Sequence, residues 1–320
     1  METFPGAELR QHFSAAEELL LVYEMAVVYS TGQLTHLLVS GGDDMADARQ
    51  PLLPRETYTH GYDGRLSQMH AARTAEREAA FFLSQLREGM RLLDMGCGSG
   101  SITVGLAAAV APGEVVGIDV EPAVIERARG RAEDGAVPNL SFEVGSAYAL
   151  PFPDGTFDAV FAHTLLQHVR DAPTVLRQAR RVLKPGGVIG LREGDWGTWV
   201  IAPPSDAIEQ AIALYLRLWE HNGGNPRVGR LHRTLLHDAG FPRSVASGTT
   251  LTAGTTTATH TFADFAADIV ESPSFVEQVA ALGWADKGAL DTLARGCRTW
   301  GDQPGAFSTL VMCETVGWRD

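Results

Sequence analysis

The run Arg91-Leu92-Leu93-Asp94-Met95-Gly96-Cys97-Gly98-Ser99-Gly100 constrains the fold more than any other stretch of the 320 residues. A short apolar segment contains an acid near its end, three glycines alternate with small residues, and Ser101 to Ala109 reads as a helix. Strand, tight turn and helix in that order form the unit of a parallel α/β sheet whose turn lets backbone approach a bound nucleotide. The glycines answer to the turn: it needs φ values closed to other residues and leaves no space for a Cβ beneath a ligand.

Two details restrict the ligand. The spacing is G-x-G-x-G, with Ser101 where a dinucleotide-binding loop has its third glycine. Asp94 sits just before the loop, where a carboxylate repels a diphosphate and suits an ammonium or sulfonium. The next strand, Glu114 to Asp119, ends in an acid placed to accept from both ribose hydroxyls, the role of an acid about 20 residues beyond a glycine loop. An adenosine with a cationic tail and no phosphates is S-adenosylmethionine (SAM). An NAD(P)-dependent oxidoreductase needs glycine at 101 and a tolerant residue at 94, and the chain has neither. A non-catalytic binding or scaffold protein on the same fold is the other alternative.

Later segments keep the pattern. Residues 138–145 read as a third strand followed by Ser146-Ala147, and 150–161 as a turn and a fourth strand that ends at Ala162-His163-Thr164. A helix to Leu183 is stopped by Lys184-Pro185-Gly186-Gly187, and Val188 to Glu193 is the fifth strand. Together with Asp94, the glycine loop and Asp119, these segments resemble class I SAM-dependent methyltransferases, of which helix–Lys-Pro-Gly-Gly–strand is a specific signature. Ser67 to Glu76, on a helical pattern over 65–87, resembles the ubiquinone/menaquinone C-methylase-like (UbiE-like) branch.

The resemblance runs from about Tyr58 to Trp318 and implies an α/β fold: a doubly wound, Rossmann-like, seven-stranded sheet. It implies that Gly96, Cys97, Gly98 and Gly100 cradle the cofactor, with Asp94 toward its cation and Asp119, beside Val120, at the ribose. Ser146 and Ala147 fall beside the adenine, and Tyr58 and Arg73 meet the methionine carboxylate. Ser146 replaces an acid usual in the family, so the adenine amino group meets an uncharged acceptor, the weaker kind.

Ligand crevices of open α/β sheets lie beyond the carboxyl ends of the strands, which brings His163 to the reaction site as a cofactor contact and candidate base. His168, five residues on, reads as structural. Trp196 and Trp199 after the fifth strand, and Arg230 in the turn before a later helix, are candidate substrate contacts. Tyr215 and Trp219, at helical spacing within 206–221, read as core. The expected organisation is an N-terminal helical extension (1–54), a SAM-binding core (55–193), a helical lid insertion over the substrate (194–242) and the remaining sheet and helices (243–320). The extension holds a broad apolar helical pattern at 13–29 that packs within the monomer, covers the site or serves self-association.

Composition narrows the partners. A formal net charge of −13 argues against nucleic acid, and no uninterrupted apolar run is long enough to span a bilayer. Three scattered cysteines suit reduced thiols in a cytoplasmic protein, an export signal is not expected, and no His or Cys spacing suggests a metal. The expected activity is methyl transfer from SAM to carbon or oxygen of a small, largely apolar, aromatic or isoprenoid metabolite of natural-product biosynthesis.

Overall fold

The computed structural model describes residues 72–320. The 13–29 pattern, the extension it belongs to and Tyr58 lie outside the described residues.

The described residues open with two single-turn helices, α1 (Ala75–Glu78) and α2 (Ala80–Leu83), within the 65–87 span where one long helix is expected and of which 65–71 lie outside the described residues. Ala79 leaves the helical region (φ −119°, ψ 13°), and Ala75, Glu78, Ala79 and Phe82 are all buried, so the segment follows the sheet surface instead of a straight axis. Phe82 stacks on Phe161 with centroids 5.6 Å apart.

Alternating strands and helices follow: β1 (Leu92–Met95), α3 (Ser101–Val110), β2 (Val115–Asp119), α4 (Pro122–Asp134), β3 (Leu140–Val144) and β4 (Phe157–His163). Then come α5 (Ala172–Val182), β5 (Leu183–Ala202), α6 (Asp206–His221), α7 (His232–Asp238), β6 (Arg243–Ala253), α8 (Thr256–Glu271), α9 (Pro273–Ala281), α10 (Lys287–Gly301) and β7 (Phe307–Trp318). The strands form one sheet in the order β3-β2-β1-β4-β5-β7-β6. β1 to β5 are parallel, while β7 runs antiparallel to both its neighbours. The chain winds outward from β1 to β3, then from β4 the other way, which opens a crevice between β1 and β4 at the carboxyl edge.

Burial follows from the pattern. β1 is buried along its whole length, and its side chains alternate between faces. Leu93 and Met95 pack with α5, whereas Leu92 packs with α1, α2 and α3. Asp171 caps α5 by accepting from the Thr174 N–H (2.9 Å), and its apolar stripe of Val175, Leu176, Ala179 and Val182 is buried.

β5 differs from the expected strand of 188–193 because it continues to Ala202 along the long partner β7, with a register shift between Asp195 and Val200. Trp196 and Trp199 therefore sit on a bulged strand rather than in a loop. The bulge is closed by polar bonds: the Gly197 N–H donates to Asp195 Oδ1 (3.1 Å), and Thr198 Oγ1 accepts from the Val311 N–H (3.0 Å). Beyond it, α6 shares one apolar cluster with α8, α9 and α10, around Tyr215, Trp219, Phe262, Phe275 and Trp300. The helices of two separate insertions thus form one cap layer, which joins segments that sequence boundaries set apart.

Candidate active site

The glycine turn is built by backbone bonds and open conformations. The Gly96 and Cys97 N–H groups both donate to Ile118 O (2.8 and 3.0 Å), which ties the turn to β2. Gly100, at φ +73°, caps α3, and a Cβ there would lie 2.5 Å from Phe142 Cζ. Gly98, at φ +54°, has nothing within 4 Å of its Cβ position. It borders a cavity of about 210 Å³ that Asp94, Gly96, Cys97, Asp119, Val120, Ser146 and Ala147 also line. Arg73, His163, Thr164 and His168 line the same cavity.

Two carboxylates face this space. Asp119 accepts from the Gly98 N–H through Oδ2 and from the Glu121 N–H through Oδ1, both at 3.1 Å, and burial raises its pKa. A carboxylate has about four acceptor positions, so acceptor capacity remains for a hydroxyl beside these backbone bonds. Asp94 is 3% exposed and accepts from Thr103 Oγ1 at 2.7 Å. Burial pushes its carboxyl up to about 7, the Thr103 bond works against that shift, and Asp119 adds to it. Burial also holds the Cys97 thiol protonated, well above its usual range. Ser146 Oγ accepts from the Tyr148 N–H (3.2 Å), and Val120 is an exposed apolar group at the rim. These residues fit SAM: a buried carboxylate matches a cation, and a Cβ at Gly98 would intrude on the cradle.

His163 belongs to a buried charge cluster. Arg192 Nη1 lies 3.0 Å from its Nε2, while Glu78 Oε2 is 3.5 Å away. Thr164 Oγ1 and Arg73 Nη1 are 3.3 and 3.4 Å from Nδ1. Arg192 is also bonded to Glu78 and, at 3.1 Å, to Glu314. An arginine can only donate, and one faces each ring nitrogen, Arg192 the more closely at Nε2 and Arg73 at Nδ1. Burial, against the pull of Glu78, lowers the His163 pKa to about 4, and both arginines act in the same direction as burial. In this setting the imidazole is neutral and weakly basic, and its Nε2 faces the Arg192 guanidinium.

Trp196, Trp199 and Arg230 do not line this cavity. Trp196 packs with Trp199, Tyr215 and Trp219, with centroids 5.0, 5.7 and 5.4 Å away, inside the cap cluster. Arg230 grips Asp195 through Nε and Nη2, both at 2.7 Å, and so fastens the bulge. Aromatic composition near a strand end could not separate a pocket wall from a cap core. Tyr215 and Trp219 are core, at 2% and 1% exposure. His168 joins the two regions: it lines the cavity and stacks on Trp219 at 4.8 Å. Sequence reading missed Glu78, Thr103, Thr164, Leu165, Arg192 and Glu193. The carboxyl-edge rule reaches Arg192 and Glu193, because Arg192 pairs in register with His163. Among the described residues, no group of three or more His, Cys, Asp or Glu is placed to hold a metal, and no helix is long and apolar enough to cross a membrane.

A family model for a methyltransferase domain matches residues 86–237. An uncharacterised methyltransferase of Schizosaccharomyces pombe is 35% identical over 190 residues, spanning 58% of this chain and 68% of that one. A probable methyltransferase of Aspergillus luteorubrus, ltbC, is 30% identical over 295 residues, or 82% of this chain and 97% of its own. A demethylmenaquinone methyltransferase of Symbiobacterium thermophilum is 35% identical over 157 residues, 45% of this chain and 62% of the relative. The solved YcgJ protein of Bacillus subtilis shares the fold, with a TM-score of 0.52 at 20% identity, over 77% of this chain and 99% of its own. With the sheet order, the glycine turn after β1 and a relative matched over nearly its full length, the chain belongs to the class I SAM-dependent methyltransferases, in their UbiE-like branch.

Proposed function

We propose that the cavity above Gly98 holds SAM and that the enzyme methylates carbon or oxygen of a small, largely apolar metabolite with an aromatic or isoprenoid body. The observation that carries this reading is that buried Asp94 and half-buried Asp119 line one cavity with Gly98, where they would serve as a cation site and a diol site. When bound, SAM supplies an electrophilic methyl group on sulfur. Asp119 accepts from the ribose hydroxyls, Asp94 pairs with the ammonium, and Val120 and Ala147 flank the adenine, with Ser146 at its edge. Arg73 meets the carboxylate. His163 and Thr164 shape the methyl-bearing end, where Thr164 Oγ1 accepts from Arg73 Nη1 at 3.3 Å and helps to orient it.

Such a site serves an acceptor that is nucleophilic as bound, because positioning and exclusion of water supply the rate. The aromatic cap reached through His168 and Trp219 supports an apolar acceptor body. Relatives named for methylating demethylmenaquinone or 27-O-demethylrifamycin SV support the same class.

Calorimetry with SAM and with NAD tests the cofactor site. Saturable SAM binding without NAD binding is expected, and Asp119→Ala should weaken it by tenfold or more, about 1.4 kcal/mol. Unaltered affinity would show that the diol contact is misassigned. Transfer of labelled methyl from SAM to quinol, phenol and prenyl acceptors then tests the substrate class, and transfer confined to polar amines would sink it.

A further inference from the structure

Glu193 is fully buried one residue beyond the Arg192–His163 register pair, outside the cofactor contacts above. Its Oε1 accepts from two consecutive backbone amides, Leu165 N–H at 2.8 Å and Leu166 N–H at 2.6 Å. Those amides belong to a turn that Thr164 enters at φ +51°, a conformation uncommon for a β-branched residue. From this turn Leu165 packs against the glycine loop: its Cδ1 lies 3.0 Å from the Cβ position of Gly96. Thr164, Leu165 and His168 form the wall of the cavity facing the loop.

We propose that Glu193 is a positioning residue, which pins the 164–166 turn against Gly96 and thereby sets the width of the cavity at its methyl-bearing end. The inference rests on reading that cavity as the SAM site. A side chain rooted in β5 fixes a backbone segment of β4's carboxyl edge, and a strained turn keeps its shape only when its surroundings over-determine it. Burial, opposed by the bonds from Leu166 and Leu165, pushes the Glu193 carboxyl up to about 8. Near neutral pH it is the uncharged acid, which a glutamine imitates in shape, charge and accepting oxygen.

The test compares Glu193→Gln with Glu193→Leu in the full chain, using SAM calorimetry and amide hydrogen exchange. Glu193→Gln is expected to keep SAM affinity within about twofold and slow exchange at Leu165 and Leu166. Glu193→Leu is expected to lose about tenfold or more in affinity, as misplaced contacts do, with exchange accelerating at those two amides while the rest of the sheet stays protected. Wild-type affinity in Glu193→Leu, or an equal loss in Glu193→Gln, overturns the proposal. If Glu193→Leu does not fold, Glu193→Asp serves, because it is one methylene too short to reach both amides. It is expected to weaken SAM binding at least about fivefold, and unchanged binding overturns the role of Glu193. Wild-type protein that fails to bind SAM would instead overturn the reading of the cavity.

Discussion

Asp94 is the residue whose chemistry is most exposed to measurement. Burial pushes its carboxyl up to about 7, so it titrates in the neutral range. A cationic ligand favours the carboxylate, so binding releases a proton, and SAM affinity should rise with pH between about 6 and 8. Calorimetry at pH 7 in buffers of different ionisation enthalpy would detect that proton. Asp94→Asn should bind at least about tenfold more weakly, with no pH dependence left. His163 makes the opposite statement: His163→Gln can still accept from Arg192, so methyl transfer should fall by less than about tenfold, against the 10²–10⁴ typical of a lost general base. A larger loss in single-turnover rate, with SAM affinity intact, would mark His163 as the base.

At the scale of elements, the turn between β1 and α3 divides its labour between two glycines. At Gly100 a methyl group meets both a left-handed φ and the Phe142 ring, so Gly100→Ala should cost about 2–4 kcal/mol of stability. Gly98 carries only the conformational penalty, and its methyl would stand in open cavity. Gly98→Ala should therefore remain nearer wild type in denaturant, at a cost of about 1–2 kcal/mol, yet lose SAM affinity by tenfold or more, about 1.4 kcal/mol. Urea titration beside SAM calorimetry separates the two, and identical behaviour would mean that the cavity is not where the cofactor lies. The bulge of β5 behaves as a structural fastening, with Asp195 and Arg230 holding the strand where the cap begins.

In the whole molecule, the sheet core and the cap layer meet through few aromatic contacts near the cavity, chiefly His168 on Trp219. Trp196→Ala should destabilise the cap by roughly 3 kcal/mol while SAM affinity changes less than about twofold, since the side chain is outside the cavity. Thermal unfolding with and without SAM checks this. Buried titratable groups also set opposing pH dependences. His163, His168 and His232 have pKa values lowered to about 4, 3 and 4, chiefly by burial. The stability that goes with these three neutral rings is present above the unfolded pKa of about 6.5 and is lost as pH falls toward 4. Asp94 and Glu193, raised to about 7 and 8, act in reverse: stability declines as pH rises from the ordinary carboxylate range through those values. The ligand-free protein should therefore be most stable near about pH 6, and melting temperatures between pH 5 and 8 would reveal a maximum or its absence.

Local chemistry was enough to announce the sheet and the cofactor. Gly98 and Gly100 need their φ values wherever the turn is placed, Asp94 and Asp119 lie at the carboxyl edges of β1 and β2, and Lys184-Pro185-Gly186-Gly187 lies at the start of β5. Contacts between distant segments were illegible, because nothing near Arg192 in the chain announces Glu78 and Glu314 as its partners, or its approach to His163 Nε2. For the same reason nothing in the sequence near Trp196 and Arg230 announces that one packs against the cap cluster and the other grips Asp195. Side-chain identity determines what a residue can bond to; only the folded chain decides which partner reaches it first, and a hydrogen bond or an apolar face satisfied inside the protein is no longer available to a substrate.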